Sequence, residues 1–409
     1  MLERIKPSSA EGKKREKVIA SFLSKLNKQL GKATAIVGGS GAKGTWLQKG
    51  YDTDIFVLYE YQNHASRSEE LSNLLEPRLK KAFKGVKIIR LHGSRDYFQL
   101  TYQKLRFEVV PILKIGKAEQ AKNITDISPL HALWVNKHTN KLKDDIMLTK
   151  QLCKAQGFYG AESYIQGFSG YVVEVLIAHY GSLEKLLQAA RRWKVKEVVD
   201  HSGFYTKDDA LFHLNKSKQL SPLIVIDPVD KSRNAAAALS MEKFLAFQKV
   251  AAAVLKSADE RLFEKKKLSY EKLAKEKGNL VFIEALPLKG KEDVVGTRLL
   301  KVYQFLLKSL QPFEVEKSGW EWEEKAVFYF VLRTKQLPAE EIRMGPPLQL
   351  VEFVADFKKK HKNWFVEEGR IKARVVTPRP LLKEFVWHIV KEDYVKTKIE
   401  KISKAIVAT

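Results

Sequence analysis

Two glycines and a serine, Gly38 to Ser40, turn the chain shortly before a strand that carries Asp52 and Asp54 two residues apart. The whole stretch from Gly38 to Leu58 narrows the fold more than any other part of the 409 residues. A strand sends alternate side chains to one face, so both carboxylates point the same way. Carboxylates that close repel each other unless a cation lies between them. The Gly-Gly-Ser turn, for its part, can aim backbone N–H groups at an anion. One end of the stretch suits a polyphosphate and the other suits Mg²⁺, the two components of a metal-bound nucleoside triphosphate.

The surrounding pattern predicts a sheet to carry that pair. An amphipathic helix over Glu11 to Leu30 buries Val18, Ile19, Phe22, Leu23, Leu26 and Leu30, and a short strand over Thr34 to Val37 precedes the turn. A helix over Ser68 to Phe83, with Pro77 expected to kink it, leads to strands at Val86 to Leu91, Tyr97 to Tyr102 and Leu105 to Leu113. In the last strand Phe107 and Val109 take one face, and Arg106, Glu108 and Val110 the other. The result is a small mixed sheet with helices on one side and a carboxylate trio of Asp52, Asp54 and Glu108. Such a trio can hold two metal ions about 3.5–4 Å apart.

Further on, helices are predicted over Lys141 to Ala155, Gly170 to His179, Ser182 to Trp193 and Ser240 to Leu255, with one apolar strand at Leu223 to Ile226. After Ala258 the character changes. A helix to Lys275 gives way to a β-α-β-β arrangement, a basic run at Lys358 to Lys362, a strand over Arg370 to Val376 and a last helix from Pro380. The fold class expected is α+β and multidomain: a catalytic head over residues 1–133, a helical neck over 134–257, and an RNA-binding body and tail over 258–409.

Composition narrows the partner. Lys and Arg number 73 against 48 Asp and Glu, a formal charge of +25, which favours a polyanion. The clusters Lys265 to Lys267 and Lys358 to Lys362 read singly as solvated faces, and only together with that surplus as RNA contacts. No apolar run approaches the roughly eighteen residues of a membrane helix, and the first residues lack the apolar core of a secretory signal. The expectation is a cytoplasmic protein without a membrane partner. Cys153, the sole cysteine, sits among apolar neighbours and reads as a core residue.

The blocks Gly39 to Trp46, Tyr51 to Phe56 and Phe107 to Pro111 resemble the archaeal, class I CCA-adding tRNA nucleotidyltransferases. The resemblance continues through Pro129 to His131, Gly157 to Glu162, Gly167 to Tyr171, Ala190 to Trp193, Asp227 to Asn234 and Arg343 to Pro346. It implies a polymerase-β-like head that adds C, C and A to tRNA from CTP and ATP with Mg²⁺, meets the acceptor and TΨC half of tRNA, and is compatible with a homodimer. It makes Asp52, Asp54 and Glu108 the metal ligands, and places Ser40 and Lys43 at the triphosphate. His131, Lys150 and Tyr159 fall at further nucleotide-binding positions, and Arg233 where the incoming base is read.

Three departures stand out. Glu108 replaces an expected aspartate, Lys43 stands where some relatives carry arginine, and Gly93 to Phe98 matches poorly. Each site residue also has a plainer reading: His131 as a hydrogen-bonded core histidine, Lys150 as a solvated charge, Tyr159 as packing, and Arg233 as the ion-pair partner of Asp227 or Asp230. Two other functions fit the same head: A-only or poly(A) addition, and RNA binding without catalysis.

Overall fold

The computed structural model describes the chain except for residues 49–51, 258, 266–267, 276–277, 338–339, 377–380 and 409. The expected start of the last helix at Pro380, the cluster residues Lys266 and Lys267 and part of the Tyr51 to Phe56 block fall outside the described residues. The fold is mixed α and β, and it divides into two compact bodies, Met1–Lys266 and Lys267–Thr409.

After a single helical turn at Leu2–Ile5, the first body continues with helix α1 (Ser9–Leu30), strand β1 (Thr34–Val37), the one-turn helix α2 (Gly39–Lys43) and strand β2 (Thr53–Glu60). Helix α3 (Leu71–Ala82) runs through Pro77 without a break, and the strands β3 (Ile88–Leu91), β4 (Tyr97–Tyr102) and β5 (Leu105–Lys114) follow. The sheet order is β1-β2-β5-β4-β3, with β2 and β5 parallel and every other pair antiparallel. Alternation along β2 and β5 buries Ile55, Val57, Phe107 and Val109 under α1 and α3. Phe22 of α1 locks this layer, stacking on Phe107 at 4.0 Å and on Phe83 at 4.4 Å. The opposite face is left for Asp54 and Glu108.

The rest of this body is mainly helical: α4 (Ser128–His138), α5 (Lys143–Ala155), α6 (Gly170–Tyr180), α7 (Leu183–Ala190) and α8 (Met241–Ser257). A short parallel pair, β6 (Glu197–Val199) and β7 (Leu223–Val225), lies between α7 and α8 in sequence. Cys153 is buried in this core, where burial pushes its thiol up to about 12. An inert core residue is what the thiol then is.

In the second body an antiparallel sheet of order β14-β8-β10-β9 combines β8 (Asn279–Pro287), β9 (Val315–Trp322), β10 (Ala326–Leu332) and β14 (Ile399–Ala408). Helices α9 (Glu292–Leu310) and α11 (Leu382–Ile389) share a core with it. A second sheet joins β11 (Glu340–Pro347), β12 (Trp364–Glu367) and β13 (Arg370–Val376), with α10 (Val351–Lys360) touching β11. Two expectations are corrected. The helix from Ala258 to Lys275 is instead two short turns, Glu260–Phe263 and Tyr270–Leu273, each capped by its own Asp259 or Ser269 side chain. The helix expected from Pro380 is present as α11, but it is not the last element: β14 follows it and pairs with β8.

Candidate active site

The parallel register sets Asp54 beside Glu108, and the antiparallel register sets Glu108 beside Gln99. Asp52 stands one residue before β2, on the same alternation as Asp54. Backbone geometry thus brings the predicted acids to one face, as the sequence requires. Their side chains do not converge. Gln99 Nε2 donates to Glu108 Oε1 at 2.6 Å, and Arg106 grips Asp52 through both Nε and Nη2. Among the described residues no three acid, histidine or cysteine side chains stand ready to close on one ion. Each outer carboxylate thus has a protein donor of its own.

Asp54 lies between them in a different state. Burial first, and then the charges of Glu108 and Asp52, raise its carboxyl to about 7 against the opposing charge of Lys43. Ionising it beside two further acids is costly, and a hard divalent cation is the partner that relieves that cost. The donor set therefore fits such an ion. Gly39 makes room for the Asp54 carboxylate itself: φ is +52°, and a Cβ there would lie 1.7 Å from Asp54 Oδ2. Gly38 serves the strand, since its N–H donates to the Asp54 carbonyl at 2.8 Å. That N–H is not available to an anion.

Behind α2 lies a buried cluster in which Glu174 and Thr45, not anticipated from the sequence, join the predicted Lys43 and Lys150. Glu174 of α6, 1% exposed, accepts from Lys43 Nζ, Lys150 Nζ and Thr45 Oγ1, each at 2.7 Å. Lys150 also donates to Thr45 Oγ1 at 2.9 Å and to the Thr45 carbonyl at 3.3 Å. Lys150 is accordingly no solvated helix charge. Burial alone would raise the Glu174 carboxyl; the charges and hydrogen bonds of Lys150 and Lys43 outweigh it and hold the group at about 2. Lys43 also lies 5.3 Å from the centre of the Tyr171 ring.

Tyr171 leads to a second buried carboxylate, Asp227. Its oxygens accept from Tyr171 Oη at 2.8 Å, the Val229 N–H at 2.9 Å and Arg233 Nη1 at 2.6 Å, and pair with His131 Nε2 at 2.9 Å. Burial opposes its ionisation, but the hydrogen bond from His131 and the charge of Arg233 hold it well below the usual carboxylate range. Burial lowers the His131 pKa in turn. A neutral ring facing an ionised carboxylate donates from Nε2 and keeps Nδ1 as an acceptor. His131 also stacks on Tyr171 at 4.0 Å. Arg233 is thus the ion-pair partner of Asp227, yet one of its five donors makes that bond and the fork as a whole is anchored beside His131.

Ser40 is half-buried on α2. Tyr159 lies under Lys154, whose ammonium is 5.2 Å from the ring centre, and burial raises its hydroxyl above the ordinary phenol range. Its hydroxyl reaches Gly170, where a Cβ would come within 2.7 Å of it. The poorly matching segment has a structural use: buried Arg95 pairs with Asp126 and donates to the Pro111 carbonyl at 3.1 Å. Glu174 did leave a signal in the sequence. It is the single acid in the otherwise apolar run from Tyr171 to Ala178, and a buried acid must be paired.

A mixed sheet thus carries an acidic row beside a Gly-Ser turn, and the helices against it hold paired lysines. Solved structures agree at the level of fold. Cid1, an RNA terminal uridylyl transferase, aligns with a TM-score of 0.51 and 16% identity over 65% of this chain and 96% of that one. A cytoplasmic RNA terminal U-transferase aligns with a TM-score of 0.51 and 15% identity over the same shares. Family models match at residues 144–264, the tRNA nucleotidyltransferase second domain, and at 290–393, the CCA-adding enzyme C-terminal domain. The CCA-adding enzyme of Nanoarchaeum equitans is 33% identical over 90% of each chain. That of Methanosarcina acetivorans is 31% identical over 88% of this chain and 80% of its own, and that of Saccharolobus shibatae 30% over 91% and 86%. The chain belongs to the CCA-adding enzymes.

Proposed function

We propose that Asp52, Asp54 and Glu108 hold two Mg²⁺ ions in the reaction by which this CCA-adding enzyme extends the 3′ end of tRNA with C, C and A. The observation that carries this reading is the row of Asp54 beside Glu108, with Asp54 raised to about 7 in a pocket only a glycine permits. Bound there, the ions would lower the pKa of the attacking hydroxyl and offset charge on the departing pyrophosphate. The protein's own share is orientation and electrostatics. Lys43, with Ser40 beside it, meets the triphosphate, and Lys150 supports it from behind. His131 and Arg233, pinned by Asp227, face the base, and Tyr159 closes the pocket wall. Residues 1–133 act as head, 134–257 as neck and 258–409 as body and tail on the tRNA acceptor and TΨC half. No helix of the described residues is long and apolar enough to cross a membrane.

The test is incorporation of labelled CTP and ATP on tRNA lacking its CCA end. Asp52→Ala and Asp54→Ala are expected to abolish both additions while tRNA binding survives. Addition of A alone would instead favour an A-adding enzyme. Arg233→Ala is expected to cut selectivity for CTP and ATP over UTP and GTP by about ten- to a hundredfold, the worth of one charged hydrogen bond. Unchanged selectivity with lowered stability would leave Arg233 with its ion pair alone.

A further inference from the structure

We infer that Glu174 is a positioning residue of the triphosphate subsite, fixing the ammonium of Lys43 through a carboxylate it shares with Lys150. This rests on the reading of Lys43 as a triphosphate ligand. The two oxygens of Glu174 are divided. Oε1 takes Lys150 and Thr45, and Oε2 takes Lys43. Lys150 has three N–H donors, and three bonds to Thr45 and Glu174 occupy them. It is committed to the protein interior. Lys43 makes one hydrogen bond among the described residues, to Glu174, and so keeps two donors for an anion.

An acid placed behind a phosphate site weakens anion binding by its charge, so a carboxylate there needs another use. Here it is steric and electrostatic at once. Lys43 and Lys150 are both nearly buried, and two such ammoniums repel unless a carboxylate lies between them. Glu174 cancels that repulsion and sets where Lys43 Nζ stands. It sits on α6 one turn beyond Tyr171, which Lys43 also faces. Glu174 Oε2 bonds Lys43 directly, and through that ammonium its effect reaches the nucleotide.

The experiment is steady-state kinetics on the full chain with saturating tRNA, comparing Glu174→Gln, Lys43→Met and the double variant. Glu174→Gln is expected to raise KM about tenfold for CTP and ATP alike, with kcat within about threefold and the CTP to ATP preference unchanged. Lys43→Met should give a similar rise, and the double variant should match Lys43→Met alone, since residues that act through one group are not additive. A folded Glu174→Gln with wild-type KM, or effects that multiply in the double variant, overturns the proposal while leaving Lys43 its role. A wild-type KM in Lys43→Met overturns the reading of Lys43 and the proposal with it. Should Glu174→Gln not fold, Glu174→Asp carries the test. Its charge is kept and its reach shortened, so a raised KM supports positioning and an unchanged one overturns it.

Discussion

At the scale of single residues the pocket is governed by three carboxylates in unequal states, Glu174 and Asp227 buried and Asp54 half-buried. Glu174 and Asp227 are ionised because each is surrounded by donors, whereas Asp54 is flanked by acids and sits at about 7. That value has a consequence for stability. A carboxyl raised from 3.8 to about 7 binds its proton more tightly in the folded chain than in the unfolded one. Its contribution therefore falls as pH rises from 3.8 towards about 7, and levels off above. Without divalent ions, Asp54→Asn should be more stable than the wild type at pH 8 by about 2–4 kcal/mol, the gap closing as pH falls towards the unfolded value. Thermal unfolding in chelator across that pH range measures it. A gap independent of pH would mean that Asp54 is not the strained group. Adding Mg²⁺ should narrow the gap at pH 8 by stabilising the wild type. The two-residue spacing of Asp52 and Asp54 and the alternation around Glu108 made the acidic face legible in the sequence. The donors that hold the outer acids were not legible: Arg106 meets Asp52 and Gln99 meets Glu108 only through sheet pairing, which spacing along the chain does not encode. Lys150 misled for the same reason, because its partner Glu174 lies 24 residues away on another helix.

Among the elements, α6 does most to organise the pocket. Ser169 caps it by accepting from the Val172 N–H, and its first turn sends Tyr171 to Asp227 and Glu174 to the lysines. Gly170 at its start leaves space for the Tyr159 hydroxyl, which an added Cβ would approach to 2.7 Å, with Lys150 Cε at 3.6 Å. Alanine is the better helix former by about 1 kcal/mol, so Gly170→Ala should gain stability if propensity ruled. Overpacking a closed site costs about 1–3 kcal/mol, and here it would displace the Tyr159 hydroxyl, which lies inside contact distance. We expect the second effect to win: a lowered denaturation midpoint together with a raised KM for both nucleotides. A stabilised variant with wild-type KM would show that Tyr159 yields freely. Elements with strong local signals were readable in the sequence, as with the strand over Arg370–Val376, matched residue for residue. The failures have local causes. Residues from Ala258 to Lys275 carry helical composition, but Asp259 and Ser269 cap short turns within it. The strand Ile399–Ala408 pairs along one edge only, and its lysines and serine blur the alternation that marks a strand.

For the whole molecule the deciding quantity is the charge of +25 set against the phosphates of tRNA. Each phosphate that a lysine or arginine neutralises releases condensed counterions, so log affinity falls linearly with log salt by about 0.7–0.9 per contact. Part of the cationic surface is in the second body, where α10 ends in Lys358, Lys359 and Lys360. Lys358 there stands 4.1 Å over the Trp364 ring, a pairing that holds the charge on a fixed platform. If these lysines meet the RNA backbone, replacing all three by alanine should weaken tRNA binding at low salt and make the salt slope shallower by about 2. Nucleotide addition at saturating tRNA should be unchanged, because none of the three belongs to the pocket of the first body. Filter binding of tRNA from low to moderate salt, with CTP incorporation measured alongside, separates the outcomes. An unchanged slope would return Lys358 to Lys360 to an ordinary solvated face. Lost incorporation at saturating tRNA would mean instead that this face positions the RNA end for the reaction as well as binding it.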